Sequence, residues 1–371
     1  MRVLLRTTTE LDPTDTADQA IDFHHRLPGY SETPLLNAPD LARTLDVAQV
    51  LVKDETCRFD LPSFKILGAS WATYVMLRQK LGPIPGDSSL LYDDLQTWAA
   101  PLKQLTLIAA SDGNHGRAVA RVAKWFGLNS RIFLPDFVSI PRRRSIEAED
   151  AEVIIVKGLY DASVDAAIEA AKQNDTLLIS DTARSVTDVV PQLVTDGYTT
   201  AFTEVDRQLQ GLSIDTVSIQ AGVGGLSSAC TSWARTTHRN TLPHIIVVEP
   251  EKAACVMSAL AAGEPVSICA DKISAMSVLQ CGTISFTAFK NLNAGVSCCL
   301  AIEDSWATSA VSSLAACDIH TGPSGATGLA GLIAAFTGPF ATPIREHLGI
   351  SGKSRLLVLA TEATKAADYL E

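Results

Sequence analysis

Short apolar segments alternate with longer amphipathic segments along most of the chain. The short segments are five or six residues long and rich in Val, Ile and Leu, which is typical of strands buried on both faces. The longer segments carry apolar residues three and four positions apart, which favours helices. This alternation predicts an α/β fold in which parallel sheets are covered by helices. The predicted strands are residues 49–53, 105–110, 130–134, 152–156, 176–180, 216–221, 244–249 and 355–360.

The segment 117–127 shows the helical pattern most fully. Gly127 stands where the C-cap of a helix is expected, because glycine adopts the left-handed conformation without steric cost. The apolar residues of the segment share one helical face: Ala118, Val119, Val122, Ala123 and Phe126. The other predicted helices are residues 140–149, 162–173, 225–236 and 325–337.

The chain has 371 residues, more than one hydrophobic core usually serves, so two domains are expected. Residues 82–96 contain two prolines, two glycines and paired aspartates, a composition that indicates a loop or a domain boundary. We predict a large α/β domain formed by residues 1–79 and 206–371, and a small α/β domain formed by residues 80–205. Because ligands bind at the carboxyl ends of parallel strands, the active site is expected in the cleft between the two domains.

The formal net charge of −11 argues against nucleic acids and anionic membranes as partners. No segment has the apolar length needed to span a bilayer, and the apolar run at the start is too short for a signal peptide. A soluble, cytoplasmic protein is therefore expected. The eight cysteines include an adjacent pair, Cys298 and Cys299, and their spacing resembles neither a disulfide framework nor a zinc site. We expect no metal.

Lys65 is flanked by apolar residues at the predicted start of a helix that follows the strand 49–53. Burial at such a position would lower the pKa of a lysine, and a neutral amine is a nucleophile toward aldehydes. The alternative is a lysine whose stem lies along an amphipathic helix while its amine stays in water.

Two glycine-containing segments follow predicted strands and open predicted helices. In residues 222–226, glycines let backbone amides point into a concavity at a helix N-terminus, where a phosphate fits; a tight strand-to-helix turn would also favour glycine. The spacing matches neither the dinucleotide fingerprint nor the Walker loop. Residues 111–116 read Ser-Asp-Gly-Asn-His-Gly. They could form a capping turn, or they could place Asn114 beside a phenolic oxygen and amides around a carboxylate.

Taken in order along the chain, these motifs resemble those of the fold-type II pyridoxal phosphate enzymes, the tryptophan synthase β family. Within that family the chain most resembles the diaminopropionate ammonia-lyases, which carry aspartate at the position of Asp112, whereas threonine and serine dehydratases typically carry alanine. The segments that support the resemblance are residues 33–35, 52–55, 58–59, 64–68, 111–116, 180–183, 220–224, 248–250, 324–326 and 361–362.

The resemblance implies the role of each matching residue. Lys65 matches the lysine that holds pyridoxal 5'-phosphate and serves as a base at Cα, and Phe64 lies beside it in the same motif. Asp112 matches the aspartate that meets the substrate amine, and Asp181 matches a second active-site aspartate. Asn114 matches the asparagine beside the cofactor's phenolic oxygen. The phosphate cradle matches Gly222, Val223, Gly224, Gly225 and Leu226.

The implied reaction is elimination of ammonia from 2,3-diaminopropionate, which yields pyruvate, in a homodimeric enzyme with a small amino-acid substrate. A serine hydroxyl is missing at the end of the strand 355–360, and Thr361 is its expected replacement beside the pyridine nitrogen. The segments around 184–186 and 280–284 depart from the ammonia-lyase pattern. Serine, threonine or a specialised amino acid therefore stays open as the substrate, for elimination or β-replacement. A non-catalytic relative that only binds a ligand is the third reading.

Three further expectations concern side chains near these motifs. Cys255 and Cys281 match positions that can form a disulfide in the ammonia-lyases, yet reduced thiols are expected in a reducing compartment. His115 is expected to hydrogen-bond within its own turn, with proton relay as the alternative. The three arginines 142–144 are expected on a solvated helix face.

Overall fold

The fold described here is a computed structural model that covers residues 1–9, 17–86, 88–111, 113–158, 160–237 and 241–364. Asp112 lies outside the described residues. Within these ranges the strands are β1 (Arg2–Leu5), β2 (Leu35–Asn37), β3 (Gln49–Asp54), β4 (Thr106–Ala110), β5 (Asn129–Pro135), β6 (Glu152–Val156), β7 (Thr176–Leu178), β8 (Thr216–Gln220), β9 (His244–Pro250), β10 (Cys298–Ile302) and β11 (Arg355–Ala360).

The helices cover both sheets and connect most of the parallel strands. They are α1 (Ala17–Arg26), α2 (Pro39–Thr44), α3 (Lys65–Leu81), α4 (Tyr92–Ala99), α5 (Asn114–Phe126), α6 (Ile140–Glu147), α7 (Tyr160–Ala170), α8 (Val189–Leu209), α9 (Gly225–Thr237), α10 (Cys255–Ala262), α11 (Phe286–Gly295), α12 (Asp304–Ala315), α13 (Thr327–Thr337) and α14 (Ala341–His347).

The strands form two sheets. The larger sheet has the order β1-β10-β9-β8-β11-β3-β2, with antiparallel pairing only at its two edge strands. The smaller sheet has the order β6-β5-β4-β7 and is parallel throughout. All four strands of the smaller sheet come from the middle of the chain, between β3 and β8. The domain limits at residues 79 and 205 stay a prediction, and both positions fall inside helices, α3 and α8.

All eight predicted strands are present, with ends displaced by two residues or fewer. The helix predicted at 117–127 begins three residues earlier, at Asn114, and Gly127 is left-handed with φ 66° as expected of a C-cap. The prediction of a loop through residue 96 is wrong, because α4 begins at Tyr92. The carboxylate of Asp94 accepts a hydrogen bond from the Leu91 amide at 2.8 Å, so one of the paired aspartates caps a helix.

Helices α3 and α8 cross at two glycines one turn from Lys65. A Cβ at Gly68 would lie 2.5 Å from the Tyr198 ring and 2.6 Å from the Val194 carbonyl, and one at Gly197 would lie 2.5 Å from the Leu67 carbonyl. The two backbones therefore touch, and α8 fixes the first turn of α3.

A cluster of four buried charges ties β3 and the segment after it to α8. Lys53 lies 2.7 Å from Glu204, and Arg58 lies 2.6 Å from Glu204 and 2.5 Å from Glu55. We call these four residues the buried charge cluster; its two cations balance its two anions. Burial alone would raise the pKa of Glu204, but the hydrogen bond and charge of Arg58, followed by the charge of Lys53, lower it to about 2. The cluster anchors the chain that leads to Lys65.

Among the described residues, length and apolar composition give no individual helix that could cross a membrane; α13 and α14, bent by 104° relative to each other, meet those criteria only as a pair.

Candidate active site

The predicted site segments all follow the carboxyl ends of parallel strands, and direct contacts join them. Ser63, two residues before Lys65, pairs with Glu362 at the end of β11. Glu362 in turn accepts a hydrogen bond from Asn114, the first residue of α5, at 2.6 Å. The structure therefore brings the lysine segment, the β4–α5 turn and the end of β11 to one place.

Lys65 is the first residue of α3, and its amine reaches a carboxylate from the smaller sheet's side. Its Nζ lies 2.8 Å from Oδ2 of Asp181, and the side chains are 26% and 13% exposed. Burial alone would raise the pKa of Asp181, but the charge of Lys65, helped by His115, lowers it well below its usual range. Asp181 is therefore ionised at neutral pH, and Lys65 remains accessible from the cleft.

Two aromatic rings flank the Lys65 amine. Its Nζ lies 5.6 Å from the ring centroid of Phe64 and 5.7 Å from that of Tyr198, within the range of cation–π attraction. Tyr198 is buried, and its phenol interacts with the Lys65 amine. Burial raises the pKa of this phenol. The Lys65 amine therefore contacts two aromatic side chains as well as Asp181.

His115 stands behind Asp181 and does not bond as expected. Its Nε2 hydrogen-bonds to the Ile179 carbonyl at 2.8 Å, so the expectation that it bonds within its own turn is wrong. Its Nδ1 lies 4.0 Å from the carboxylate of Asp181. The reason is that β4 and β7 are neighbours in the sheet, which places the segment after β7 beside the start of α5. His115 therefore orients the segment that carries Asp181.

Ser111 shapes the turn that contains Asp112. Its hydroxyl accepts hydrogen bonds from the amides of Gly113 at 2.9 Å and of Gly116 at 2.8 Å. Both donors lie at the beginning of α5, so the serine caps the start of this helix, where Asn114 faces Glu362. Asp112, between these residues, lies outside the described residues.

The glycine loop joins β8 to α9. Gly224 has φ +96°, a conformation that favours glycine, and a Cβ there would lie 2.9 Å from Leu292. Gly225 is the first residue of α9, so the loop amides point outward at the positive end of a helix. The Val223 carbonyl accepts a hydrogen bond from the Ser285 amide at 2.8 Å. The hydroxyl of the same serine accepts one from Ala183, two residues after Asp181, at 3.0 Å.

Two thiols lie against this loop. Cys255 donates a hydrogen bond to the Gly222 carbonyl at 3.4 Å, and a Cβ at Gly222 would lie 3.2 Å from the sulfur of Cys281. The expectation of reduced thiols at these two positions stays a prediction. Burial raises the pKa of Cys255 well above its usual value, so this thiol is unreactive and supports the loop mechanically.

Thr361 follows β11 and is buried. Its hydroxyl accepts a hydrogen bond from Nε2 of Gln220 at 2.8 Å, which leaves its own proton available for donation. The arginine segment matches its expectation of a solvated face only in part, because Arg144 is exposed whereas Arg142 and Arg143 are partly buried. Arg142 lies beside Gly113, 3.6 Å from a Cβ built there, and Arg143 donates to the carbonyl of Val138 at 2.7 Å, because α6 packs back on the turn before it.

Three residues at the site were not assigned a role from the sequence: Tyr198, Ser285 and Glu362. Tyr198 lies in a helix far from any motif in sequence, so its proximity to Lys65 has no local signal. Ser285 directly follows the segment 280–284, but its contact with Val223 depends on the fold. Glu362 stands next to Thr361 in a motif that the sequence did single out. Its position directly after a strand and next to Thr361 is the signal that could have identified Glu362 as a site residue.

The arrangement suits a ligand that carries an aldehyde and a phosphate. The Lys65 amine can attack an aldehyde, the loop at the start of α9 offers amides without side chains in the way, and Asn114 and Thr361 supply hydrogen-bonding groups around a ring. Pyridoxal 5'-phosphate has these features, and the described residues fit it.

Comparison with known proteins identifies the class of enzyme to which the chain belongs. Residues 26–342 match the family described as pyridoxal-phosphate dependent enzyme, and the chain belongs to that family. With its two parallel-stranded α/β sheets it is a fold-type II enzyme that depends on pyridoxal phosphate.

Particular relatives are more informative. The chain is 30% identical over 372 residues to the diaminopropionate ammonia-lyase of Escherichia coli (strain K12), covering 98% of this chain and 92% of that protein. It is 28% identical over 364 residues to the diaminopropionate ammonia-lyase of Salmonella typhimurium, covering 95% and 90%.

Solved structures of similar proteins have the same fold as this chain. The holo diaminopropionate ammonia-lyase from Escherichia coli superposes with a TM-score of 0.90 at 28% identity, covering 99% of this chain and 95% of that one. The same enzyme has been solved in complex with an aminoacrylate-PLP azomethine reaction intermediate, with a TM-score of 0.88. Threonine deaminase isoform 2 from Solanum lycopersicum, at 22% identity and a TM-score of 0.74, shows the shared fold alone.

Proposed function

We propose that the chain is a lyase that eliminates ammonia from 2,3-diaminopropionate to give pyruvate and ammonia. The observation that carries the proposal is the pairing of Lys65 with an ionised Asp181 beside the glycine loop. It occurs in a chain whose relatives over nearly the full length are diaminopropionate ammonia-lyases. The two supports are independent, because one is geometry and the other is overall similarity.

Pyridoxal phosphate, when bound, supplies an electron sink for the bonds that break at the substrate's Cα and Cβ. We assign Lys65 to hold the cofactor, with Phe64 against it. The loop residues Gly222, Val223, Gly224, Gly225 and Leu226 would hold its phosphate. Asn114 would face its phenolic oxygen, and Thr361 would face its ring nitrogen. A neutral hydroxyl at the ring nitrogen favours elimination over reactions that need a stronger electron sink.

Proton transfer would be divided among three residues. Lys65 would take the Cα proton, because its amine is accessible from the cleft. Asp181 stays ionised, so its task would be to orient the Lys65 amine and to hold its charge. The acid that protonates the departing β-amine would then be Asp112, on the turn held by Ser111. General acid catalysis of this kind contributes roughly 10²–10⁴-fold.

A second candidate is elimination or β-replacement on another amino acid, such as serine, threonine or a specialised substrate. The segment after Asp181 favours it. Arg184 forms an ion pair with Asp165 at 2.7 Å, and the amides of Arg184 and Ser185 both bond to Asp188. This segment differs from the ammonia-lyase pattern and lies next to a proposed catalytic residue, so it bears on which side chain the site accepts.

The deciding experiment measures ammonia and keto-acid release by the cofactor-loaded enzyme. The substrates are D- and L-diaminopropionate, serine, threonine and cysteine, and Lys65→Ala is the control. We expect diaminopropionate to give the highest kcat/KM and to release two ammonia per pyruvate, one from the β-carbon and one from hydrolysis of aminoacrylate. Lys65→Ala should be inactive. Preference for a hydroxy amino acid would establish the second candidate. Cofactor-loaded wild-type protein that converts none of these substrates would contradict the proposed lyase function.

We also propose that the enzyme is a cytoplasmic homodimer. Two-fold dimers are the commonest assembly of soluble oligomers, and the buried cysteines are reduced thiols, as in a reducing compartment. Light scattering after gel filtration distinguishes a dimer from a monomer, and fractionation of the producing cells tests the compartment.

A further inference from the structure

Asn114 and Glu362 form a hydrogen bond between a residue of the smaller sheet's helix α5 and the end of the larger sheet's strand β11. The donor is Nδ2 of Asn114, the acceptor is Oε2 of Glu362, and the distance is 2.6 Å. The bond is charge-assisted if the carboxylate is ionised, which makes it stronger than one between two neutral groups. It joins the two sheets at the candidate active site.

The backbone of Glu362 is fixed on two sides. It pairs with Ser63, two residues before Lys65, and its carbonyl accepts a hydrogen bond from the hydroxyl of Thr321 at 2.5 Å. The next amide, Ala363, donates to the carbonyl of Pro62 at 2.9 Å. The carboxylate therefore extends from a rigid base that also carries the Lys65 segment.

A carboxylate decides which way a neighbouring amide faces. An asparagine side chain has two N–H donors and one carbonyl acceptor, and it can present either end to a partner. The Oε2 atom of Glu362 accepts from the nitrogen of Asn114, and this contact excludes the opposite orientation of the amide. The second N–H is then committed to another direction by the planar geometry of the amide.

We propose that Glu362 is a positioning residue that holds the Asn114 amide with its second N–H toward the phenolic oxygen of the cofactor. The inference rests on the proposed contact between Asn114 and that oxygen. Glu362 acts through Asn114 and takes no proton from the substrate. Without Glu362, the side-chain amide of Asn114 can rotate and present its carbonyl oxygen to the cofactor. A carbonyl oxygen repels a phenolate oxygen.

The test compares wild type with Glu362→Gln, Glu362→Ala, Asn114→Ala and the double variant. The control is Glu264→Gln, since Glu264 is exposed. For each protein the absorbance maximum of the bound cofactor, its Kd and the Tm of the cofactor-free protein are measured. The absorbance maximum reports hydrogen bonding at the phenolic oxygen, and a purely structural residue does not move it.

We expect Glu362→Ala to shift the absorbance maximum in the same direction as Asn114→Ala and to weaken cofactor binding about tenfold, the effect of one hydrogen bond to a charged group. The double variant should bind no more weakly than Asn114→Ala, because the two residues act as a unit. Glu362→Gln should lose less than Glu362→Ala, and Glu264→Gln should match wild type.

Two results would overturn the inference. One is a Glu362→Ala protein whose absorbance maximum equals that of wild type. The other is a double variant whose losses are the sum of the two single losses. If the wild-type enzyme eliminates ammonia, either result would contradict the role of Glu362 and leave the proposed function unaffected. If Glu362→Ala lowers the Tm so far that the protein cannot be purified folded, the same comparison is made with Glu362→Gln, and its absorbance maximum tests the inference.

Discussion

The amine of Lys65 and the carboxylate of Asp181 lie 2.8 Å apart although they come from helix α3 and from the segment after β7. The pair crosses from the part of the chain that forms the larger sheet to the part that forms the smaller one. Since Asp181 is ionised, the lysine has a fixed partner whenever its amine carries a proton. The relative placement of the two sheets therefore controls where that amine points.

Asp181→Asn should retain the cofactor but lose about 10²-fold or more in kcat. An amide does not balance the charge of the Lys65 amine, and it accepts a hydrogen bond from that amine less strongly than a carboxylate does. Steady-state kinetics and a cofactor titration measure the two effects separately. Asp150→Asn is the matched control, since Asp150 is exposed and its ion pair with Lys124 lies on the surface. Wild-type kcat in Asp181→Asn would contradict the proposed orienting role.

Gly224→Val should weaken cofactor binding far more than it lowers folding stability. The φ of +96° is unfavourable for valine, and the new side chain meets Leu292 where the loop amides must approach a phosphate. Gly263→Val is the control, because Gly263 has φ +77° with open space around it. Both variants should lose stability of order 1–2 kcal/mol from the backbone, but only Gly224→Val should lose the cofactor. Equal Tm losses with unchanged Kd would indicate a structural turn only.

Asp112→Asn should cut turnover of diaminopropionate severely, because an amide cannot protonate the departing amine. The D-enantiomer should be affected most, since on that face the carboxylate would also remove the Cα proton. Cofactor binding should be kept, since Lys65 and the glycine loop are unchanged. A capping role, worth roughly 0.5–2 kcal/mol, is filled equally well by asparagine. Unchanged turnover of both enantiomers would therefore reduce Asp112 to a cap.

His24 should make the fold sensitive to acid. It is fully buried and hydrogen-bonds to Thr200 and to the Leu67 carbonyl, and burial, followed by the charge of Arg58, lowers its pKa from 6.5 to about 3. Below pH 6.5 the unfolded chain binds a proton at this residue that the folded chain does not. Stability therefore falls as the pH decreases from about 6.5 toward 3.

His24→Gln should flatten that dependence by up to about 1.4 kcal/mol per pH unit, the value for one proton. Urea denaturation at pH 6.5 and at pH 5 measures the difference, above the range in which most carboxylates titrate. His320→Gln serves as the control because His320 is largely exposed. An unchanged slope in His24→Gln would mean that the folded protein already protonates this histidine.

Much of the fold follows from local patterns, whereas the completed site depends on distant parts of the chain. Buried parallel strands such as β9 are continuous apolar runs, so composition alone locates them. Gly224 and Lys65 stand at strand-to-helix junctions, which motifs identify. Tyr198 has no such signal, because it reaches Lys65 from the middle of α8 only once α3 and α8 cross at Gly68 and Gly197.

Two predictions failed, one because of a local interaction and one because of a contact between distant parts of the chain. Asp93 and Asp94 look like loop residues, yet at the first turn of α4 their charges favour the helix and Asp94 caps it. His115 was expected to bond locally, but strand order places the Ile179 carbonyl nearer. Strand order in a sheet is not readable from a single sequence, so the contact of His115 with Ile179 was not available beforehand.

The buried charge cluster also constrains the order of events during synthesis. Lys53 and its partner Glu204 are separated by 151 residues. A nascent chain therefore exposes Lys53, Glu55 and Arg58, with a net charge of one positive, long before Glu204, the second anion of the cluster, leaves the ribosome. Because unpaired charges resist burial, this part of the larger sheet stays hydrated until β4 to β7 have been made. The segment that leads to Lys65 therefore reaches its final surroundings only after residue 204 has been synthesised.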